Sequence, residues 1–416
     1  MKNKSKLLAM ILVCTMMATG CKTSVDQSQD QQASQSGQTE EKSQENKTEE
    51  KKEESKGEEK KEEAKNVPII AEPASEKFPY IEEETFTPKF TAADIGITEE
   101  DLKAEPMYGK EITIMAGSGC TCAPVIANLQ GKFAEHAIKA NVTKTQANFN
   151  EALANDQAQV CVNHIAESIV PISNDLDVYY KSGAISGCLS LYVLSDSGYE
   201  KTTDLKGKII GTNEVGGNLY NVAIRFLARD GVSKDEVKLK PVETASSVVA
   251  MQNGEIDAVM LSDQFANPFV KDGTLKRIRS LSYDEDFHIE PCCTNLFSGK
   301  FVRENPKHAE LINQIIKDAQ AWIEENEEET VQMLTDNNYL SGKQDLVITE
   351  FKSYSWTLPD KNVEETIENM INDYKEFGLI RSDVDTKQLM EKCWKPAEKD
   401  SMEGGMKVSP NEYSKK

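Results

Sequence analysis

The sequence predicts a two-lobed α/β protein, and three observations carry that prediction. Strand-like apolar runs alternate with helical periodicity twice, once after Lys110 and again after Leu189. Such alternation builds parallel sheet with helices covering both faces. The last third reads as helix throughout, and Lys22 to Lys65 hold almost no large apolar side chain. With 416 residues and about 150 residues per domain as a guide, two lobes and a tail are expected.

Taken in order, the chain opens with the basic stretch Met1 to Lys6 and a mostly apolar run from Leu7 to Ala18. This is the layout of a secretory signal, too short to span a bilayer comfortably. Ala18-Thr19-Gly20-Cys21 resembles the lipobox of bacterial lipoproteins, with Ala18 where that motif prefers Leu. The resemblance implies a signal peptide over 1–21, with Cys21 as the lipidated first residue on the extracytoplasmic face of a cell membrane. Ordinary secretory cleavage with an incidental Cys21 is the alternative. Residues 22–66 are Ser, Gln, Glu and Lys in runs, and they bury too little surface to offset chain entropy. They are expected to be a disordered charged linker that stands a folded head off the membrane, which suits a Gram-positive wall. A long acidic and basic helix would serve equally as a spacer.

Residues 67–109 carry Pro68, Pro73, Pro79 and Pro88 among scattered aromatics, as expected of an extended segment packed on the head, with a short helix within Thr91 to Lys103. Lobe 1 then spans 110–190 and returns over 290–395. Its elements are a strand with Ile112, Ile114 and Ala116, a helix from Pro124 to His136, and a strand from Asn141 to Thr145. A short helix with Phe149 and Leu153 follows, then a strand from Gln159 to Asn163. Lobe 2, residues 191–289, repeats the scheme. Lys208 to Thr212 is a strand, and Leu219, Val222, Ala223, Phe226 and Leu227 recur at helical spacing before Gly231. A strand over Val237 to Pro241, a helix carrying Val248, Val249 and Met251, and a strand over Ile256 to Leu261 complete the set. In the helical third, Asn305-Pro306 starts a helix with Leu311, Ile315, Ala319, Trp322 and Ile323 on one face. Asn362 and Glu365 have capping-box spacing for another that stops at Gly378. Residues 396–416 read as a flexible tail.

Asp204-Leu205-Lys206-Gly207-Lys208-Ile209-Ile210-Gly211-Thr212 resembles the second-lobe opening of importer binding proteins of the nitrate, sulfonate, taurine and thiamine-precursor group. Met251 to Ala258, Phe301 to Pro306 and Trp322-Ile323 are similar to further stretches of that family, in order, across Leu205 to Ile323. The resemblance implies a periplasmic-binding-protein-like clamp of type II with two inter-lobe crossings, near Leu189 to Ser195 and near His288 to Asn295. It also implies an ABC importer's substrate-binding component rather than an enzyme, a monomer partnered by a membrane permease and its cytosolic ATPase. A thiamine-pyrimidine-synthase-like enzyme and a sensory or adhesive surface lipoprotein are the rivals.

In open α/β sheets ligands sit beyond the carboxyl ends of strands, which nominates loops without reference to any family. In lobe 1 these hold Ser118, Gly119, Cys120, Thr121 and Cys122, then Asn163 and His164. In lobe 2 they hold Asn213, Gly216, Gly217 and Asn218, then Ser262, Asp263 and Gln264. Tyr220 stands near a helix start as a stacking or core residue. Glycines at helix starts suit a small polar or anionic solute, and a sulfonate, nitrate, carboxylate or thiamine precursor is expected. The net charge of -22 argues against a nucleic-acid partner.

Nine cysteines are many for an exported chain. With Cys14 removed and Cys21 lipidated, Cys120, Cys122, Cys161, Cys292 and Cys293 fall at or near strand ends, Cys188 borders a crossing and Cys393 lies near the C-terminus. Buried hydrophobes and structural disulfides are one reading. A soft-metal site from Cys120, Cys122, Cys292, Cys293 and His164 is another, although the spacing matches no usual zinc motif. A redox pair that alters cleft closure is the third.

Overall fold

The computed structural model describes residues 87–144 and 148–404. The signal peptide, Cys21, the linker and the first part of the extended segment lie outside the described residues. Thr98 caps α1 (Glu99–Lys103) through a reciprocal box with Asp101. The first lobe then runs β1 (Glu111–Met115), α2 (Ala123–Leu129), α3 (Lys132–Glu135), β2 (Lys139–Thr143), α4 (Phe149–Ala154), β3 (Val160–His164), α5 (Ile165–Ser173) and β4 (Val178–Ser186). The second runs β5 (Leu189–Leu194), β6 (Ile209–Thr212), α6 (Asn218–Arg229), β7 (Lys238–Pro241), α7 (Thr244–Gln252), β8 (Ala258–Ser262), α8 (Asp263–Lys271) and β9 (Leu275–Ser280). The chain returns through β10 (Pro291–Ser298), α9 (Gly299–Glu304), α10 (Pro306–Glu325), α11 (Glu327–Asp336), α12 (Gln344–Phe351), α13 (Asp360–Glu376) and α14 (Thr386–Cys393).

The two five-stranded sheets share one plan, β2-β1-β3-β10-β4 and β7-β6-β8-β5-β9. In each, three strands pair in parallel and the next runs antiparallel. That fourth strand is the one that has just crossed from the other lobe, so the sheets are mixed where the alternation alone suggested parallel. The crossings fall at Gly187–Cys188 and over residues 281–290, a little outside the expected positions: Leu189 already belongs to the second sheet and Pro291 to the first.

Other departures have local causes. The helix expected from Pro124 to His136 breaks at Gly131, whose φ of +75° lies in the left-handed region, leaving α2 and α3. Asn362 caps nothing: α13 begins two residues earlier, and the buried Asn362 amide donates to Ile289 O at 3.0 Å, tying the helix to the second crossing. The segment after 395 is docked as far as it is described. Asp400 accepts from Lys317 Nζ at 2.7 Å, and Ser401 accepts from Gln314 at 2.9 Å. Among the described residues no helix is long and apolar enough to cross a membrane.

Candidate functional site

The carboxyl ends of both sheets face one another where the crossings pass. From lobe 1 comes the β1–α2 loop. Thr121 Oγ1 closes it by accepting the Gly117 N–H at 2.8 Å, and Cys122 N–H donates to Gly119 O at 3.0 Å. Ser118 is buried, while Gly119, Cys120 and Thr121 are half-buried. From lobe 2 comes Gln264, whose Oε1 lies 2.7 Å from where a Cβ on Gly119 would stand. A side chain on Gly119 would push the end of that amide aside, so the two lobes meet there. A second meeting brings Glu167 of α5 and Glu214 of the β6–α6 loop together. Burial, and then Glu214, hold the Glu167 carboxyl above its usual range.

Behind this contact Asn221 bridges the lobes, donating to Ala166 O at 2.7 Å and to Gly216 O at 2.9 Å. Both bonds use its nitrogen, which leaves Oδ1 buried without a partner, as are Thr212 Oγ1 and Asn213 Oδ1. Gly216 adopts a φ of +83°, and Gly217 starts α6 with no side-chain cap. Asn218 Oδ1 accepts the Leu219 N–H at 2.8 Å. Tyr220 packs against the core.

Two expected ligand residues are engaged by the protein itself. Ser262 caps α8 by accepting the Phe265 N–H at 3.3 Å. Asp263 is fully buried: its carboxylate accepts from Tyr192 and, at 2.8 Å, from Ser282, while its N–H donates to Cys188 O at 3.0 Å. Arg277 stacks 4.1 Å from the Tyr283 ring and 3.7 Å from Asp263. With both oxygens engaged, Asp263 organises the first crossing instead of meeting a solute.

Sulfur fills the floor. Cys293 stands opposite His164 across the β10–β3 ladder. Cys188 Sγ lies 3.5 Å from Cys292 Sγ, which lies 3.6 Å from Cys293 Sγ. The sulfurs of Cys120, Cys188 and Cys293 lie within 4.8 Å of one another, as do the ligand atoms of His164, Cys188 and Cys292. Hydrogen bonds from Cys120, then Cys188 and Cys292, hold the Cys293 thiol well below its usual range. His164 is kept neutral chiefly by burial. Its Nδ1 accepts the Ala166 N–H at 3.1 Å to cap α5, so the ring proton sits on Nε2, a buried atom with no partner. His164 stands beside Cys188 and Cys292 in a set that could hold a metal ion, in keeping with its place among the sequence's candidate ligands.

Cys122 and Cys161 belong to the hydrophobic core, burial pushing both thiols up, and Cys393 is buried in α14 with its thiol pushed up to about 12. Cys122 thus drops out of the expected soft-metal group and Cys188 enters it. Cys188 has a φ of +81° behind Gly187 at +99°, and no local pattern announced that. Close to the sulfurs, burial pushes the Glu350 carboxyl up to about 8, where it accepts from Tyr354.

Two sheets joined by two crossings, with strand-end loops converging between them, define a periplasmic-binding-protein-like fold, and solved structures share it. The alkanesulfonate-binding protein from Xanthomonas axonopodis bound to MOPS superposes with a TM-score of 0.57 at 16% identity, covering 69% of this chain and 98% of that one. The periplasmic nitrate-binding protein from Synechocystis gives 0.55 at 14%, covering 68% and 86%. The ligand-binding component of an ABC-type import system from Staphylococcus aureus with zinc bound gives 0.51 at 13%, covering 66% and 99%. Residues 122–330 match the family model described as NMT1/THI5 like, and the chain belongs to that family. Among curated proteins no sequence matches it.

Proposed function

We propose that the chain is the substrate-binding component of an ABC importer, anchored through Cys21 to the outer face of the membrane, which holds a small polar solute between its lobes for a permease and its ATPase. One observation carries this reading. Gly119 meets Gln264, and Glu167 faces Glu214, across a boundary where Thr212 Oγ1, Asn213 Oδ1 and Asn221 Oδ1 are buried without partners. Buried polar atoms are ordinarily paired, and a solute entering from the gap supplies the missing partners.

The charges refine the solute class. Arg225 is bound by Glu290 and Asp373, and Arg277 lies against Asp263, while the gap presents amide oxygens and two carboxylates. That supports a solute bearing N–H or O–H donors, uncharged or cationic, and of the expected types a thiamine-precursor pyrimidine suits it better than a sulfonate or nitrate. The fold also serves catalysis, since a desulfurization enzyme superposes with a TM-score of 0.51 at 14% identity; an enzyme would consume the solute, a binding protein returns it intact.

The test is a thermal-shift panel of pyrimidines, amines, sulfonates, nitrate and carboxylates, followed by calorimetry on the best stabiliser. A solute at a hundred times its Kd adds about 2.7 kcal/mol, and Thr212→Val with Asn213→Ala should abolish that shift while leaving the unliganded melting temperature nearly unchanged. A stabiliser whose effect survives the double substitution would place binding elsewhere.

A further inference from the structure

We propose that Cys120, Cys188, Cys292 and Cys293 form a binding site for a single thiophilic d10 metal ion, Zn(II) or Cu(I), at the floor of the inter-lobe boundary. The proposal rests on sulfur geometry and is separate from the solute reading above. Three chain segments deliver the four sulfurs: the β1–α2 loop, the first crossing and the head of β10. Residues 188 and 292 are 104 positions apart, yet their sulfurs are 3.5 Å apart. A tetrahedral site with metal–sulfur bonds of about 2.3 Å sets its ligand sulfurs about 3.8 Å from one another. The Cys188–Cys292 and Cys292–Cys293 separations of 3.5 and 3.6 Å lie just below that value, and the sulfurs of Cys120, Cys188 and Cys293 lie within 4.8 Å of one another. A multi-iron cluster would hold its sulfurs much farther apart, so the space suits one ion. All-thiolate coordination selects soft cations over the hard ones that carboxylates and water prefer.

Two independent observations point the same way. Cys188 is held at a φ of +81°, a strained conformation for a residue with a side chain and one concentrated at functional sites. Three contacts enforce it: Cys188 N–H donates to Ser282 Oγ at 2.9 Å, Asp263 N–H to Cys188 O at 3.0 Å, and Ser282 to Asp263. Next, His164 is 3% exposed, its Nε2 is buried without a partner, and a ring nitrogen of His164 lies within 4.8 Å of the Cys188 and Cys292 sulfurs. Donating to a metal-bound thiolate is the outer-sphere role that orients such ligands and disperses their charge. Cys120, the half-buried member on a loop at the lobe contact, provides the way in. Binding exchanges thiol protons for the metal: each sulfur that coordinates releases its proton to solvent, with no change of oxidation state.

The experiment uses the full chain, reduced and stripped with a chelator, then titrated anaerobically with Zn(II) and separately with Cu(I). Native mass spectrometry should show one metal per chain, and X-ray absorption at the zinc edge should show a sulfur shell at about 2.3 Å. Cys188→Ser and Cys293→Ser should each weaken binding at least tenfold, whereas Cys122→Ser and Cys393→Ser should retain it. A nitrogen or oxygen shell on the wild-type protein, metal retained equally by Cys188→Ser, or reduced wild-type protein that takes up neither ion would each overturn the proposal. A preparation that refuses metal but keeps its solute-induced thermal shift refutes this site alone and leaves the binding role standing.

Discussion

Replacing Arg225 by Met should be among the most damaging single changes in the protein. Arg225 lies on α6 of the second lobe, 2% exposed, and reaches two buried carboxylates. Its guanidinium donates to Glu290 at 2.7 and 3.3 Å and to Asp373 at 3.0 Å, so it ties α6 to the second crossing and to α13 of the first lobe. Phe287 stacks beneath it, 5.4 Å from ring centre to guanidinium carbon. Methionine keeps the stem's volume but strands two carboxylates away from water, and breaking a buried pair in this way costs about 3–5 kcal/mol. Against a total stability of about 5–15 kcal/mol that is a large share. Urea denaturation is the suitable assay because urea, unlike guanidinium, does not screen charge. Arg225→Met should lower the unfolding free energy by at least about 3 kcal/mol, and adding Glu290→Gln and Asp373→Asn should recover much of the loss by removing the stranded charges. A single variant within about 1 kcal/mol of wild type, or a triple variant no better than the single, would refute the reasoning.

Three further outcomes are expected. Gly183→Ala should destabilise by about 1–3 kcal/mol through overpacking, because its Cβ would stand 2.8 Å from Val363 Cγ2 and 2.9 Å from Leu358 Cβ; thermal denaturation reads this directly. Gly119→Ala meets only the end of the Gln264 side chain, so stability should hold while calorimetry shows weaker solute affinity. Glu350 holds its proton in the folded protein up to about pH 8, whereas in the unfolded chain it ionises near 4.5. The unfolded state therefore binds fewer protons in that window, and stability falls as pH rises through it, by about 1.4 kcal/mol per unit from this one group. Glu350→Gln should remove that slope between about pH 5 and 8, as denaturation curves at several pH values would show.

The periodic parts of the fold were legible because they are local. Alternation located β1, β6 and β8, the apolar stripe Leu311, Ile315, Ala319 and Ile323 located α10, and Gly231 and Gly378 marked helix ends. The strand-end rule led to Gly119, Gln264 and the Asn213 loop, which the fold brings to one boundary. What stayed hidden depends on contacts distant in sequence. Cys188 joins the sulfur group only because the first crossing passes beside the head of β10, and Asn362 serves the second crossing 73 residues away. Asp263 looked available at a strand end, yet Tyr192 and Ser282 claim it from β5 and from the turn after β9. Cys122 and Cys120 are two residues apart and indistinguishable in sequence, but the turn sends one into the core and the other to the sulfurs.

Small-angle X-ray scattering of the stripped protein, before and after saturation with the best stabiliser from the thermal-shift panel, addresses lobe closure most directly. Capture between lobes that pivot on residues 187–188 and 281–290 predicts a smaller radius of gyration and a shorter maximum dimension once the solute is bound. A solute that raises the melting temperature while both dimensions stay unchanged would contradict closure around a guest.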